Sequence, residues 1–122
     1  MTDHVTIDDF LSGAIKVAQP KSGYRAGIDP ILLAASIPAK SGQTVLELGC
    51  GVGTASLALA HRVTDLSITG VEVQERYAEL ARQNAYLNNL PFSVVCADLA
   101  ALPAEIRDQQ FDHVFALSLI HI

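Results

Sequence analysis

The segment Glu47-Leu48-Gly49-Cys50-Gly51-Val52-Gly53 concentrates the chemistry of this chain. Three alternating glycines remove three side chains from one turn, which lets a ligand touch the backbone. The spacing is Gly-x-Gly-x-Gly, not the Gly-x-Gly-x-x-Gly of a dinucleotide-binding turn. An acid two residues before the first glycine repels phosphate and attracts a cation or an amine. The competing reading is a tight strand-to-helix connection that binds nothing.

Two more acids follow at strand ends. Glu72, in Gly70-Val71-Glu72-Val73, stands 23 positions after Gly49, an interval at which a carboxylate accepts from both hydroxyls of a ribose. Asp98, in Cys96-Ala97-Asp98-Leu99, suits an adenine amine, with the next backbone N–H donating to the ring. As a structural residue Glu72 is a charged strand end, and Asp98 is a helix N-cap. Taken together, the three positions lie at the carboxyl ends of consecutive strands, where open α/β sheets bind ligands. S-adenosyl-L-methionine, with its sulfonium and ammonium charges, suits this pattern better than NAD.

The elements that must position these residues alternate between short β-branched runs and helical stretches, the pattern of a parallel α/β sheet. Thr44–Leu48, Leu66–Val73, Phe92–Cys96 and Phe111–Ala116 read as strands. Thr54–Val63, Glu75–Asn88 and Ala100–Arg107 read as helices, the second with Tyr77, Leu80, Ala81, Asn84 and Leu87 on one face. Asp29 followed by Pro30 reads as an N-cap and first-turn proline for a helix through Ser36. Residues 10–19 are ambiguous, with Ala14–Val17 alternating as a short strand.

At 122 residues there is material for one core, and a composition half apolar, 17% charged, with mean hydropathy +0.32 excludes global disorder. The longest apolar-leaning run, Ile31–Ile37, falls far short of the roughly 18 residues of a membrane helix. The acidic start carries no signal-peptide pattern, so no membrane association and a cytoplasmic location are expected. The net charge of −5 argues against a whole-surface nucleic-acid binder, although residues 10–40 carry Lys16, Lys21, Arg25 and Lys40 against Asp29 alone. Cys50 and Cys96 form no Cys-x-x-Cys pair, the four histidines are scattered, and no metal site is expected.

Glu47 to Gly53, Glu72 and Asp98, in this order, resemble the cofactor motifs of class I S-adenosylmethionine-dependent methyltransferases across Thr44–Ala116. Gln19 to Pro30 with Leu32-Leu33-Ala34-Ala35 is similar to the N-terminal segment of the small-domain enzymes, in particular the bacterial tRNA(Val) adenine-N6 methyltransferase group. The resemblance implies a Rossmann-like fold with strand order 3-2-1-4, S-adenosyl-L-methionine as cofactor and tRNA as substrate. It places Tyr24, Arg25 and Asp29 over the cofactor. It assigns cofactor contact to Glu47, Gly49, Cys50, Gly51, Gly53, Glu72, Val73, Asp98 and Leu99.

In that family the fourth strand runs into Asn-Pro-Pro-aromatic, which holds the target amine and stacks on an extruded base. Here Phe111–Ala116 continues instead as Leu117-Ser118-Leu119-Ile120-His121-Ile122, so no catalytic residue is assigned. Those six residues match one translated frame of a sequencing adapter. The expected organisation is therefore an N-terminal segment (1–40), the first half of a cofactor domain (41–116) and a non-native tail (117–122), the fold being truncated after the fourth parallel strand. The alternatives are a non-catalytic S-adenosylmethionine-binding module, or an enzyme of the same fold acting on protein glutamine.

Overall fold

The computed structural model describes residues 4–22 and 26–117. Four strands, β3 (Thr44–Leu48), β4 (Ser67–Glu72), β5 (Phe92–Cys96) and β6 (His113–Phe115), form a parallel sheet in the order β5-β4-β3-β6. Numbered by their own succession this is 3-2-1-4, the expected Rossmann-like α/β order. From β3 the chain steps outward to β4 and β5, then crosses back to place β6 on the other flank of β3. The direction of winding reverses at β3.

Helices α2 (Thr54–Arg62) and α3 (Glu75–Leu87) supply the first two crossovers. Helix α2 is buried from Thr54 through Ala60, a stretch of small and aliphatic residues in which only Thr54 and Ser56 are polar. Leu57, Leu59, Val45 and Val71 are inaccessible to solvent, and full burial of each such side chain is worth about 1.5–3 kcal/mol. Strand alternation sends Val45, Glu47, Ile68, Gly70, Glu72 and Phe92 toward α2 and α3, and Leu46 and Val71 to the opposite face.

An antiparallel hairpin precedes the sheet, pairing β1 (Val5–Phe10) with β2 (Ile15–Pro20) in the register Asp8 to Val17. Residues 15–20 extend the short strand expected from residue 14. Strand β1 was not anticipated, because Asp8-Asp9 marked that stretch as an acidic lead-in. Its strand character comes from its partner, not from burial of its own side chains. Ile15, Val17 and Ala18 of β2 join the same core as α2 and α3.

Helix α1 (Asp29–Ser36) begins one residue earlier than the capping pattern implied. The Ile28 carbonyl accepts the Leu32 N–H at 3.0 Å, so Ile28 is the N-cap and Asp29 is the first helical residue, with no side-chain cap bond. Asp29 still favours the helix start through its charge. The far end of α1 is held by Arg62, whose guanidinium donates to the carbonyls of Ala34 (3.0 Å) and Ile37 (2.5 Å).

The single helix expected at 100–107 is two pieces, a 3-10 turn (Leu99–Ala101) and α4 (Ala104–Arg107). Pro103 forces the split, since a proline disfavours the helical region for the residue before it. On α3, Leu80, Ala81 and Asn84 are buried as expected and Tyr77 packs partly against the core, but Leu87 is 47% exposed.

Candidate cofactor site at the strand ends

Leaving β3, the chain enters Gly49-Cys50-Gly51-Val52-Gly53 with all three glycines at positive φ, +68°, +57° and +94°. A Cβ at Gly51 would meet nothing within 4 Å, so that position faces open space and is glycine because of its φ alone. Gly53 has another reason. A Cβ there would lie 2.7 Å from the Phe92 ring, so Gly53 serves packing and, as N-cap of α2, the entry into the helix.

The loop is held from within. The amides of Gly49 and Cys50 both donate to the Val71 carbonyl, at 2.7 and 3.0 Å. The Gly51 amide donates to Glu72 Oε1 at 2.8 Å, and the Gln74 amide to Glu72 Oε2 at 2.9 Å. Glu72, only 4% exposed, thus spans from its own strand end to the neighbouring loop. Each of its oxygens keeps a second lone pair for a ligand hydroxyl.

Glu47 lies deeper than its expected role suggests. Its side chain runs under α2, is 2% exposed, and its Oε1 accepts from the Ser56 hydroxyl at 2.6 Å. Burial pushes its carboxyl up to about 8, the Ser56 hydroxyl and backbone N–H pull against that, and the charge of Glu72 adds to it. Near neutral pH Glu47 is therefore largely protonated. Burial also raises the Cys50 thiol well above its usual range, with Glu47 and Glu72 adding to the shift. Cys50 is a packed thiol, not a nucleophile.

Asp98 follows β5, exposed, with Oδ1 accepting from the Ala100 amide at 2.9 Å. It caps the 3-10 turn, as its structural reading required. Val73 is 38% exposed beside Glu72, and Leu99 is half-buried next to Asp98. The structure thus gathers Glu47, Gly49, Cys50, Gly51, Gly53, Glu72, Val73, Asp98 and Leu99 at one end of three adjacent strands. Tyr24 and Arg25 lie outside the described residues. Of the expected basic segment, Lys16 is already paired with Asp9 at 2.8 Å.

The residues present fit S-adenosyl-L-methionine. The Glu72 carboxylate, at the end of β4, has acceptor capacity beyond its two amide bonds for a ribose hydroxyl, and open space lies above Gly51. The Thr54 hydroxyl at the loop-helix junction is buried with no partner among the described residues. A diphosphate would meet Glu72 instead of free loop amides, since those of Gly49, Cys50, Gly51 and Gly53 are all engaged. Among the described residues no group of three or more His, Cys, Asp or Glu is placed to hold a metal, and no helix is long and apolar enough to cross a membrane.

Sequence reasoning missed Ser56 and Asn84. Ser56 read as one more residue of a covered helix, and Asn84 as a member of a helical face. Their only signal was polarity at positions that periodicity assigns to the core.

A glycine loop at the reversal point of a parallel sheet, with acids at the adjoining strand ends, defines an α/β fold built for a nucleoside cofactor. Residues 45–122 match the methyltransferase-domain family, and the chain belongs to that family. It is 32% identical over 89 residues to the 27-O-demethylrifamycin SV methyltransferase of Amycolatopsis mediterranei, covering 73% of this chain and 32% of that protein. It is 37% identical over 70 residues to the tRNA1(Val) (adenine(37)-N6)-methyltransferase of Yersinia enterocolitica, covering 57% of this chain and 28% of that one. The chain thus spans about a third or less of the length of these curated relatives. The crystal structure of an S-adenosylmethionine-dependent methyltransferase from Agrobacterium tumefaciens superposes with a TM-score of 0.71 at 19% identity, over 95% of this chain and 40% of that one. S-adenosyl-L-methionine is the cofactor that goes with this family and fold.

Proposed function

We propose that this chain is the cofactor-binding part of a methyltransferase whose full-length parent methylates adenine N6 in tRNA, in the cytoplasm. The observation that carries the cofactor half is the loop at the β3 reversal point, bound through the Gly51 amide to Glu72 at 2.8 Å. The acceptor half is supported by the likeness to the tRNA1(Val) enzymes and by the segment Gln19 to Pro30.

When bound, the cofactor supplies a methyl group activated by its sulfonium. The chain's own contribution is binding and orientation, which is how alignment lowers the barrier of a direct displacement. Glu72 accepts from the ribose while keeping its two amide bonds. Asp98 and the Leu99 amide would hold the adenine with Val73, Gly49 to Gly51 would admit the methionine end, and the family resemblance assigns Tyr24, Arg25 and Asp29 to the same cofactor. No protein nucleophile takes part.

Calorimetric titration of the 122-residue chain with S-adenosylhomocysteine tests the first half. Binding that weakens at least tenfold in Glu72→Gln, which keeps one acceptor oxygen where there were two, is expected. No binding, or tighter binding of NAD, overturns it. For the second half, the full-length parent is incubated with unmodified tRNA and labelled cofactor. N6-methyladenine is the expected product. Label in protein glutamine and none in RNA overturns the tRNA reading and selects the same fold with a protein acceptor, and no transfer to either selects a cofactor-binding module.

A further inference from the structure

Asn84 of α3 is wholly buried, and its amide group is engaged on both sides. Its Oδ1 accepts the Ala18 N–H at 2.7 Å, and its Nδ2 donates to the Ala18 carbonyl at 2.9 Å and the Val52 carbonyl at 3.0 Å. One turn later Asn88 repeats the first half of this pattern on Lys16. Its Oδ1 accepts the Lys16 N–H at 2.8 Å, and its Nδ2 donates to the Lys16 carbonyl at 2.7 Å. Four helical residues advance by about 6 Å and two strand residues by about 6.6–6.8 Å. Two amides one turn apart therefore match alternate residues of β2 and take the place of a third strand on its free edge.

Asn88 Nδ2 also donates to the Asn84 carbonyl at 2.7 Å, a bond that stays at the end of α3, whereas the third bond of Asn84 reaches the loop. The Val52 carbonyl belongs to the peptide joining Val52 to Gly53, in the middle of the glycine loop. The N–H of that same peptide donates to the Cys50 carbonyl at 2.9 Å. In a trans peptide the two groups point in opposite directions, so the plane is pinned from both sides, by Asn84 and by Cys50. That plane precedes Gly53, whose φ of +94° turns the chain into α2.

We infer that Asn84 is the positioning residue of the cofactor loop and ties its shape to the docking of the N-terminal hairpin through Ala18. The tie reaches further along the chain. The neighbour of Ala18 in β2, Gln19, is buried, accepts the Ala26 N–H at 2.8 Å and donates to Asp8 at 2.8 Å. The stretch entering α1, the hairpin, α3 and the loop therefore meet around two adjacent residues of β2. Undocking the hairpin releases the Asn84 amide, and an unpaired buried amide no longer fixes the Val52 carbonyl. The loop is preformed only while the hairpin is in place.

The inference rests on the proposed function for its binding readout alone; the exchange readout stands without it. In the 122-residue chain, Asn84→Ala is compared with Asn88→Ala, which also breaks two bonds to β2, and one to the Asn84 backbone carbonyl, but none to the loop. Amide hydrogen exchange at residues 49–53 is expected to speed up at least tenfold in Asn84→Ala and less than twofold in Asn88→Ala. S-adenosylhomocysteine affinity is expected to fall tenfold and less than twofold, respectively. Equal effects of the two variants, or an unchanged loop in Asn84→Ala, overturn the inference. Should Asn84→Ala not fold, native-state exchange of the unmodified chain in mild denaturant decides: the Gly51, Gly53 and Ala18 amides are expected to share one opening. A loop that opens while Ala18 stays protected overturns it. If the unmodified chain binds no cofactor, the proposed function fails while the exchange result still decides the role of Asn84.

Discussion

The two faces of the parallel sheet are built differently. One is covered by α2, α3 and the hairpin and holds most of the core, from Ile15 and Val17 through Leu57 and Leu59 to Phe92. The other carries Leu46, Val71 and Ile106, flanked by half-buried Val95, Leu99, Leu102 and Phe111, and leaves Val114 of β6 56% exposed. The buried polar side chains of the candidate site that are hydrogen-bonded, Glu47, Ser56, Glu72 and Asn84, lie on the covered side. Orientation is the reason: a side chain keeps one hydrogen-bonded geometry where packing excludes water and competing rotamers. Asp98, in the loop after β5, is exposed and needs only a local amide.

The largest effect that tests this contrast comes from deleting one aliphatic side chain on each face. Leu57→Ala, at 0% exposure, is expected to cost about 4 kcal/mol. Ile106→Ala is expected to cost about 2 kcal/mol, because loosely covered surroundings close over the gap. Denaturant unfolding of the chain measures both, and equal losses would erase the contrast.

Next comes the acid stored on the covered side. The Glu47 carboxyl is raised from 4.5 to about 8 in the folded chain, so between those values the folded state holds a proton that the unfolded state has released. Stability from this group is complete below about pH 4.5 and is lost as pH rises through 8, at about 1 kcal/mol per pH unit within that window. Glu47→Gln keeps the shape and an acceptor for Ser56 but cannot titrate. Its unfolding free energy is expected to be flatter from pH 5 to 8, with the gain over the parent largest at pH 8. A parallel pH profile in the two proteins would mean that Glu47 is ionised when folded.

The smallest effect belongs to the thin face. Val114→Lys is expected to change stability by less than about 0.5 kcal/mol, since its side chain already meets solvent. A lysine on an edge strand opposes edge-to-edge pairing, so light scattering of the variant is expected to show less self-association. A large loss of stability would show that this face is covered better than Val114 indicates.

How legible these features were in the sequence follows the same division. Strands β3 and β5 were read to the residue and β4 to within one residue at each end, because β-branched runs between turn residues fix a buried strand. The sheet order came from the family resemblance. Periodicity identified the Asn84 face of α3 but not what that face meets, since a helix does not announce that its asparagines will pair with a strand 66 and 72 positions away. The depth of Glu47 was legible in principle, because it shares its parity with Val45, yet an acid beside glycines reads first as a ligand group. Strand β1 was not legible, as its residues become a strand only against β2. Pro103 was a plain signal for the break between the 3-10 turn and α4.

The Asn88 clasp on Lys16 also has a consequence in time. On the ribosome the hairpin leaves before α3, and its clasp is made 72 positions later. At about 5–20 residues per second that interval is on the order of 4–14 s. A lone two-stranded hairpin is marginal in water, so for that interval Ile15 and Val17 have no core to enter. The hairpin, made before the loop and α3, is thus secured after both, and the glycine loop, synthesised between them, waits with it for the end of α3.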